Sequence, residues 1–173
     1  MWLFRSAGAT DLYPRDANAQ GWGGRPMAAC DDEQFLDITG IKALRRISVL
    51  PDAVEIGALV TWREAFDSAL PTWFDGVRLA AREVGGKQIQ NRATLAGNLC
   101  NASPAADGAP VLMALDARVR LQSAGATREV PLTGFTTDNR TTVLRSDELL
   151  TSIVIPSPPS GLRSTFLKLG ARR

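Results

Sequence analysis

The 173-residue chain contains no histidine, and this absence removes several classes of function. Without an imidazole the chain cannot form the Ser-His or Cys-His pairs of nucleophilic enzymes, use a histidine base, or bind a metal through histidine. It has only two cysteines, Cys30 and Cys100. Two thiolates cannot by themselves complete a four-cysteine zinc site or hold an iron–sulfur cluster. These absences exclude histidine-dependent catalysis and metal sites built from histidine or cysteine. A pair of carboxylates for general acid–base work stays possible among the 18 acidic residues, but no spacing singles one out.

Long apolar runs and an excess of one charge are also missing. No stretch approaches the roughly 18 apolar residues of a membrane span, and the N-terminal run 2–4 is too short for a signal peptide. The formal net charge is +2, whereas a nucleic-acid-binding domain should be strongly basic on one face. So few cysteines fit a reducing compartment better than a disulfide framework. We expect a cytoplasmic protein without a membrane span or a nucleic-acid partner.

The pattern of the chain predicts mixed α and β structure. Thr61 and Glu64 form a capping-box pattern before a helix to about residue 70, and helical spacing over 73–84 ends at Gly85-Gly86. Ser103-Pro104 is typical of a helix start leading into 109–114. In the second half short strands joined by turns predict an antiparallel sheet. Predicted strands cover 2–5, 34–38, 47–50, 54–58 and 149–155, with further strands around Val119 and Val130.

Apolar runs lie close to both ends of the chain, at 2–4 and 166–169. Natural domains usually begin and end in polar surface segments. The two runs are either edge strands or cut ends, and we favour a fragment of a longer parent.

Two small-residue segments, Ser6–Leu12 and Thr94–Asn98, are the candidates for ligand binding, and both are predicted to be turns. Small residues allow backbone N–H groups to converge on an anion, and neighbouring Thr and Asn add neutral donors. The Walker A and Rossmann fingerprints are both missing. Each segment alone is more typical of an ordinary tight turn than of a binding site, whereas the two together could clamp a pyrophosphate. The carboxylate of Asp107 could accept hydrogen bonds from ribose hydroxyls, or it could simply lie at the start of a helix. Cys100 is more typical of a small buried thiol than of a reactive one.

The segment 87–107, K-Q-I-Q-N-R-A-T-L-A-G-N-L-C-N-A-S-P-A-A-D, closely resembles the FAD-binding (medium) subunits of molybdenum hydroxylases, which include xanthine dehydrogenase and carbon monoxide dehydrogenase. The family pattern is approximately Q-I-R-N-x-A-T-[IL]-G-G-N followed by S-P-x-x-D. Residues 7–12, A-G-A-T-D-L, resemble the family's A-G-G-T-D-L. Further matches follow in the same order along nearly the whole chain, at 37–38, 56–58, 61, 148–150, 155–156 and 168–173.

The resemblance implies an α+β, two-lobed FAD-binding domain of the vanillyl-alcohol oxidase (PCMH) type, with FAD between the lobes. Residues 1–58 would form a small, incomplete N-terminal α/β lobe. Residues 59–173 would form a larger lobe with an antiparallel sheet and flanking helices. From the resemblance we expect this chain to lack the helical segment that begins the family's first lobe and the family's C-terminal flavoprotein domain.

The resemblance also assigns residues to the cofactor. The backbone of 5–12 would meet the FAD pyrophosphate from the first lobe. Thr94, Ala96, Gly97 and Asn98 would meet it from the second lobe. Side chains further along would add contacts, with an acidic residue near the polar end of FAD and an apolar one near the flavin. The assigned residues are Arg5, Ser6, Ala7, Gly8, Ala9, Thr10, Asp11, Leu12, Val84, Thr94, Ala96, Gly97, Asn98, Asn101, Ser103, Asp107, Leu150 and Lys168.

Two departures from the family pattern affect this site. Ala9 replaces the second Gly of A-G-G, and Ala96 replaces the first Gly of G-G-N. If either position requires a positive φ, alanine costs about 1 kcal/mol there and crowds a phosphate oxygen.

The implied function is that of an electron-transfer subunit. Substrate would be hydroxylated at a molybdopterin centre on a large partner subunit, and electrons would pass through [2Fe–2S] clusters on a small partner to FAD, then to NAD⁺ or another acceptor. Because such chemistry belongs to the cofactor, a chain without histidine can serve it. Two alternatives stay open: a stand-alone flavin oxidoreductase of the same fold, and a non-catalytic fragment or assembly module without flavin.

Overall fold

The computed structural model describes residues 38–169 together with the backbone of two short strands, β1 (Trp2–Leu3) and β2 (Gln34–Phe35). These two strands pair in parallel. The strands predicted at 2–5 and 34–38 are therefore confirmed over two residues each. The predicted site residues 5–12 and Cys30 lie outside the described residues.

The main sheet has five strands, all paired antiparallel, which confirms the antiparallel prediction. Its order is β3 (Ile47–Val49), β4 (Ala53–Gly57), β9 (Leu149–Pro156), β5 (Arg118–Gln122) and β6 (Thr127–Pro131). A separate small hairpin consists of β7 (Thr136–Asp138) and β8 (Thr141–Thr142). Because β9 is central, residues 53–57 and 118–122 both pair with it. The division into lobes at residue 58 stays a prediction.

Five α-helices lie within the described residues: α1 (Trp62–Asp67), α2 (Asp75–Glu83), α3 (Lys87–Gln90), α4 (Leu95–Asn101) and α5 (Gly108–Ala114). Three 3₁₀ turns cover Lys42–Arg45, Thr72–Phe74 and Leu132–Gly134. None of these helices has the length and apolarity that crossing a bilayer requires.

The helix ends follow local side-chain chemistry. The predicted capping box is confirmed, since Glu64 N donates to Thr61 Oγ1 at 3.1 Å and Thr61 N donates to Glu64 Oε2 at 2.8 Å. The helix ends at Asp67 rather than near residue 70, because Ser68 is extended with ψ 146°. Gly85 adopts φ +50° just after α2, as expected of a glycine that stops a helix.

Two predictions about the segment after residue 93 are wrong. The predicted turn Thr94–Asn98 is the N-cap and first turn of α4, because Leu95 and Leu99 lie four residues apart and are both buried. The predicted helix start at Ser103-Pro104 is a turn instead. Ser103 Oγ accepts from Ala105 N at 3.3 Å, and the next helix begins only at Gly108.

The hydrophobic core lies between one face of the sheet and the helices. Alternate strand residues supply the sheet side, and the largest helix contributions are fully buried aromatic rings. The opposite face of the sheet is polar, where Arg120 pairs with Glu55 and with Glu129. Buried residues from the two layers include Val54, Ile56, Trp62, Phe74, Leu95, Leu112, Val119, Leu121, Ile153 and Ile155.

Candidate functional site

Helix α4 carries a polar face that is built by helical spacing. Thr94, Asn98 and Asn101 follow one another at intervals of four and three residues, which places them on one side of the helix. The other side packs Leu95 and Leu99 into the core. The beginning of the helix is tied to the beginning of α1, since Thr94 and Thr61 form an isolated antiparallel bridge.

Most backbone amides at the start of α4 already have acceptors. Leu95 N donates to Val60 O at 3.3 Å, Gly97 N to Thr94 Oγ1 at 2.9 Å, and Asn98 N to Thr94 O at 3.1 Å. The N–H of Ala96 donates to no residue in the part of the chain that the structure describes. The sequence predicted that several backbone N–H groups of 94–98 converge on an anion. Among residues 95–98, only the N–H of Ala96 is without an acceptor in the described part of the chain.

The two asparagines of the polar face are each held through the side-chain oxygen. Asn98 Oδ1 accepts from Gly108 N at 3.2 Å, and Asn101 Oδ1 accepts from Arg140 Nη1 at 2.6 Å. An asparagine side chain has one acceptor oxygen and one NH₂ donor group. Because the oxygen of each asparagine already accepts a hydrogen bond, the NH₂ group is the part that can bind a ligand. Neither NH₂ donates to another described residue. Both side chains therefore present neutral donors.

Asp107 and Lys168 form an ion pair beside this helix. Lys168 Nζ lies 2.9 Å from Asp107 Oδ1 and 3.0 Å from Oδ2, although the two residues are far apart in the chain. Asp107 immediately precedes α5, but its carboxylate makes no capping hydrogen bond to that helix. The carboxylate is only 14% exposed, and Lys168 is its oppositely charged partner. The structure thus brings together two of the predicted site residues.

The remaining residues predicted to bind the cofactor lie in different parts of the fold. Leu150 is buried in the core on β9, and Val84 packs against the core at the end of α2. Ser103 belongs to the turn after α4. Ala96 lies inside α4 with no positive φ, so the strain expected there does not arise. In a helix alanine is favoured over glycine by about 1 kcal/mol, which makes this departure from the family pattern locally stabilising.

Gly108 is a residue of the site that sequence analysis missed. A Cβ at this position would lie 2.6 Å from Asn98 Oδ1 and 3.0 Å from the ring of Trp62. Trp62 is fully buried, and its Nε1 donates to no residue within the described ranges. Only glycine therefore allows α5 to approach Asn98 so closely. The sequence did contain a signal for this close contact. Glycine is unfavourable within a helix, so a glycine directly after Asp107, where no turn requires one, indicates that a neighbouring segment approaches closely.

Arg140 was missed too, because its contact with α4 depends on where the β7–β8 hairpin lies in three dimensions. No local pattern around residue 140 predicts it.

Cys100 is held against the core on α4. Desolvation by burial raises the pKa of its thiol to about 12. The thiol stays protonated at neutral pH and is a poor nucleophile. The side chain is only half-buried, so its packing against the core and its raised pKa together favour the predicted unreactive cysteine over a reactive one.

The donors of α4 suit an anionic cofactor. The oxygens of a phosphate are acceptors, and the polar face offers the NH₂ groups of Asn98 and Asn101. The N–H of Ala96, at the start of the same helix, has no acceptor among the described residues, although Ala96 itself is buried. The nearby carboxylate of Asp107 is compensated by Lys168. The residues present therefore fit a diphosphate.

Fold and site together define an α+β domain for a phosphate-bearing cofactor. Residues 27–158 match the family described as the FAD binding domain in molybdopterin dehydrogenase. Because this match covers most of the chain, the protein belongs to that family, and the predicted resemblance and PCMH-type fold are confirmed. FAD, the predicted cofactor, is the ligand that the family description names.

Several curated relatives are similar in sequence. The nicotinate dehydrogenase FAD-subunit of Eubacterium barkeri is 34% identical over 142 residues, which is 80% of this chain and 48% of the relative. The glyceraldehyde dehydrogenase medium chain of Sulfolobus acidocaldarius is 31% identical over 125 residues, 72% of this chain and 44% of the relative. The chain thus spans about half the length of the curated relatives it matches.

Solved structures show the same fold. Reconstituted CO dehydrogenase from Oligotropha carboxidovorans matches with a TM-score of 0.77 and 26% identity, covering 90% of this chain and 51% of that one. Quinoline 2-oxidoreductase from Pseudomonas putida 86 matches with a TM-score of 0.76 and 25% identity, covering 90% and 52%.

Proposed function

We propose that this chain is the FAD-binding part of an electron-transfer subunit in a molybdenum hydroxylase complex, and hence part of an oxidoreductase. The observation that carries the proposal is the polar face of α4. There the side-chain oxygens of Asn98 and Asn101 are occupied by Gly108 and Arg140, so that both NH₂ groups are available on one side. The family match gives the identity of the anion that these donors would meet.

In this proposal the chain's own residues bind and orient the cofactor. Asn98, Asn101 and the N–H of Ala96 would donate to the diphosphate of FAD, and residues 5–12 would approach it from the first lobe. Ser103 would add a hydroxyl near the end of α4. The ion pair of Asp107 and Lys168 would lie at the polar end of the cofactor. The chemistry that FAD supplies in this role is the transfer of electrons from partner iron–sulfur clusters to an acceptor.

The partners follow from the same family. We expect a large molybdopterin-binding subunit and a small [2Fe–2S] subunit, with NAD⁺ or another compound as acceptor, in the cytoplasm. One relative is named a medium chain, which is in keeping with a complex of larger and smaller subunits. Co-purification of the tagged chain with a molybdopterin-binding and a [2Fe–2S] chain tests this part. A chain with activity on its own would instead indicate a stand-alone flavin oxidoreductase.

FAD binding is tested first on the unmodified chain, by flavin absorbance and stoichiometry after incubation with excess FAD. We expect about one FAD per chain. A well-folded chain that takes up no flavin would contradict the proposal and would favour the non-catalytic module.

The role of the asparagine donors is tested by Asn98→Asp. The aspartate has nearly the same shape and keeps an oxygen to accept from Gly108, but it replaces the NH₂ donor with a negative oxygen. We expect FAD to bind at least roughly tenfold more weakly, since a lost donor and a new like charge together cost more than about 1.4 kcal/mol.

The matched control is Gln122→Glu, the same amide-to-acid change at an exposed position on β5. Its FAD affinity should equal that of the unmodified chain. Equal affinities in all three proteins would remove Asn98 from the site.

A further inference from the structure

The tip of the β7–β8 hairpin is attached to the end of α4 by one residue, Arg140. Its backbone N–H donates to Ala102 O at 2.9 Å, and its guanidinium Nη1 donates to Asn101 Oδ1 at 2.6 Å. The hairpin and the helix are separated by 39 residues along the chain at this contact. Two bonds from a single residue therefore join two remote segments beside the polar face of α4.

The backbone on both sides of the contact adopts an uncommon conformation. Ala102 has φ 47° and Arg140 has φ 55°, both in the left-handed region that favours glycine. Residues without a glycine's freedom stay in this region only where the surrounding structure holds them there. Ala102 is 6% exposed, so the turn that follows α4 is packed as well as bonded.

The consequence for Asn101 is a defined orientation of its amide. Rotation of the amide by half a turn would exchange the oxygen and the NH₂ group. A charged guanidinium donates strongly to the oxygen and cannot accept from the NH₂, so it stabilises only one of the two orientations. In that orientation the NH₂ points away from Arg140 and serves as a donor. Asn98 is oriented in the same way by the N–H of Gly108.

We propose that Arg140 is a positioning residue for FAD binding, which acts through Asn101 by holding its NH₂ group toward the diphosphate. This inference depends on the proposed function and deepens it. Arg140 itself is exposed and needs no contact with the cofactor.

The test is a double-mutant cycle on the full chain, with FAD affinity measured by quenching of flavin fluorescence. Arg140→Ala and Asn101→Ala should each weaken FAD binding about tenfold. The double variant should bind no more weakly than either single variant, since both changes remove the same donor. Arg140→Lys should recover part of the loss, because an ammonium can also donate to Oδ1.

Two controls separate positioning from charge and from folding. Arg118→Ala removes the same charge from an exposed site that has no ion pair within the described residues, and it should bind FAD normally. Urea unfolding of each apo variant checks that affinity is lost without a matching loss of stability. Arg140→Met, which keeps the side-chain stem and the backbone bond to Ala102, replaces the alanine variant if that one unfolds.

The outcomes are distinct. Losses that add in the double variant would show that Arg140 contacts the cofactor independently of Asn101, and they would overturn the inference. Unchanged affinity in Arg140→Ala would overturn it as well, while leaving the proposed function intact. An unmodified chain that binds no FAD would overturn the proposed function and this inference with it.

Discussion

Substitution of Gly108 by alanine tests how closely α5 must approach the polar face of α4. The added Cβ would lie 2.6 Å from Asn98 Oδ1 and 3.0 Å from the ring of Trp62. The tryptophan is fully buried and has little room to move, so Asn98 must rotate away. This rotation breaks the 3.2 Å bond from Gly108 N and turns the NH₂ group of Asn98. One methyl group should therefore affect both stability and cofactor binding.

The expected change in the free energy of unfolding is the balance of two costs and one gain. Overpacking of a close-packed interior costs about 1–3 kcal/mol, and a lost hydrogen bond about 1 kcal/mol. Replacement of glycine by alanine at a permitted φ recovers about 0.4–1 kcal/mol by reducing the freedom of the unfolded chain. The φ of Gly108 is not positive, so this gain applies. We expect a net destabilisation of about 1–3.5 kcal/mol.

Gly134→Ala is the matched control. No described atom lies within 4 Å of a Cβ at that position, so only the entropic gain should remain. Urea unfolding of the two variants and the unmodified chain gives the free energies of unfolding directly. FAD titration of the same proteins should show about tenfold weaker binding for Gly108→Ala alone.

The reasoning would be refuted if Gly108→Ala were as stable as Gly134→Ala. A destabilised Gly108→Ala variant with unchanged FAD affinity would refute only the link between Asn98 and the cofactor.

Three further predictions concern residues of the same domain. Arg128 donates two hydrogen bonds to the buried Glu148 carboxylate, and with the Arg145 N–H they lower the pKa of Glu148 to about 2 from its usual 4.5. A carboxyl with a lowered pKa stabilises the fold above its unfolded pKa and loses that effect as the pH falls toward the folded value. Glu148→Gln should therefore be less stable than the unmodified chain by about 1–2 kcal/mol at pH 7, after allowance for solvent screening of the pair. This difference should shrink as the pH falls below 4.5 and be largely lost at pH 2, as measured by urea unfolding. Cys100 should react with iodoacetamide at pH 7 far more slowly in the native chain than after unfolding, because its pKa is raised to about 12; equally rapid labelling of the native chain at this cysteine would contradict that raised pKa. Gly97→Val should abolish FAD binding with helix content intact by circular dichroism, since Gly97 lies on the polar face of α4; undiminished affinity would remove this turn of the helix from the site.

The sequence by itself determined the features that depend on neighbouring residues. The capping box at Thr61, the helix stop at Gly85 and the strand predicted at 149–155 each arise from side chains and backbone a few positions apart. The motif at 87–107 determined the family in the same way, because its residues are contiguous.

Local sequence patterns did not predict the correct secondary structure where the same residues can form either a turn or a helix. Thr94–Asn98 contains glycine and asparagine, which favour turns, yet burial of Leu95 and Leu99 makes the segment helical. Ser103-Pro104 has the chemistry of a helix start, but the apolar residues that a helix must bury begin only after Gly108.

Only the tertiary structure decided which donors the site presents. The orientations of Asn98 and Asn101 depend on Gly108 and Arg140, and the charge of Asp107 is compensated by Lys168. Asn101 and Arg140 are 39 positions apart, and Asp107 and Lys168 are 61 apart. Such pairs meet because the sheet and helices pack in one arrangement, and a periodic pattern within either segment carries no information about the other.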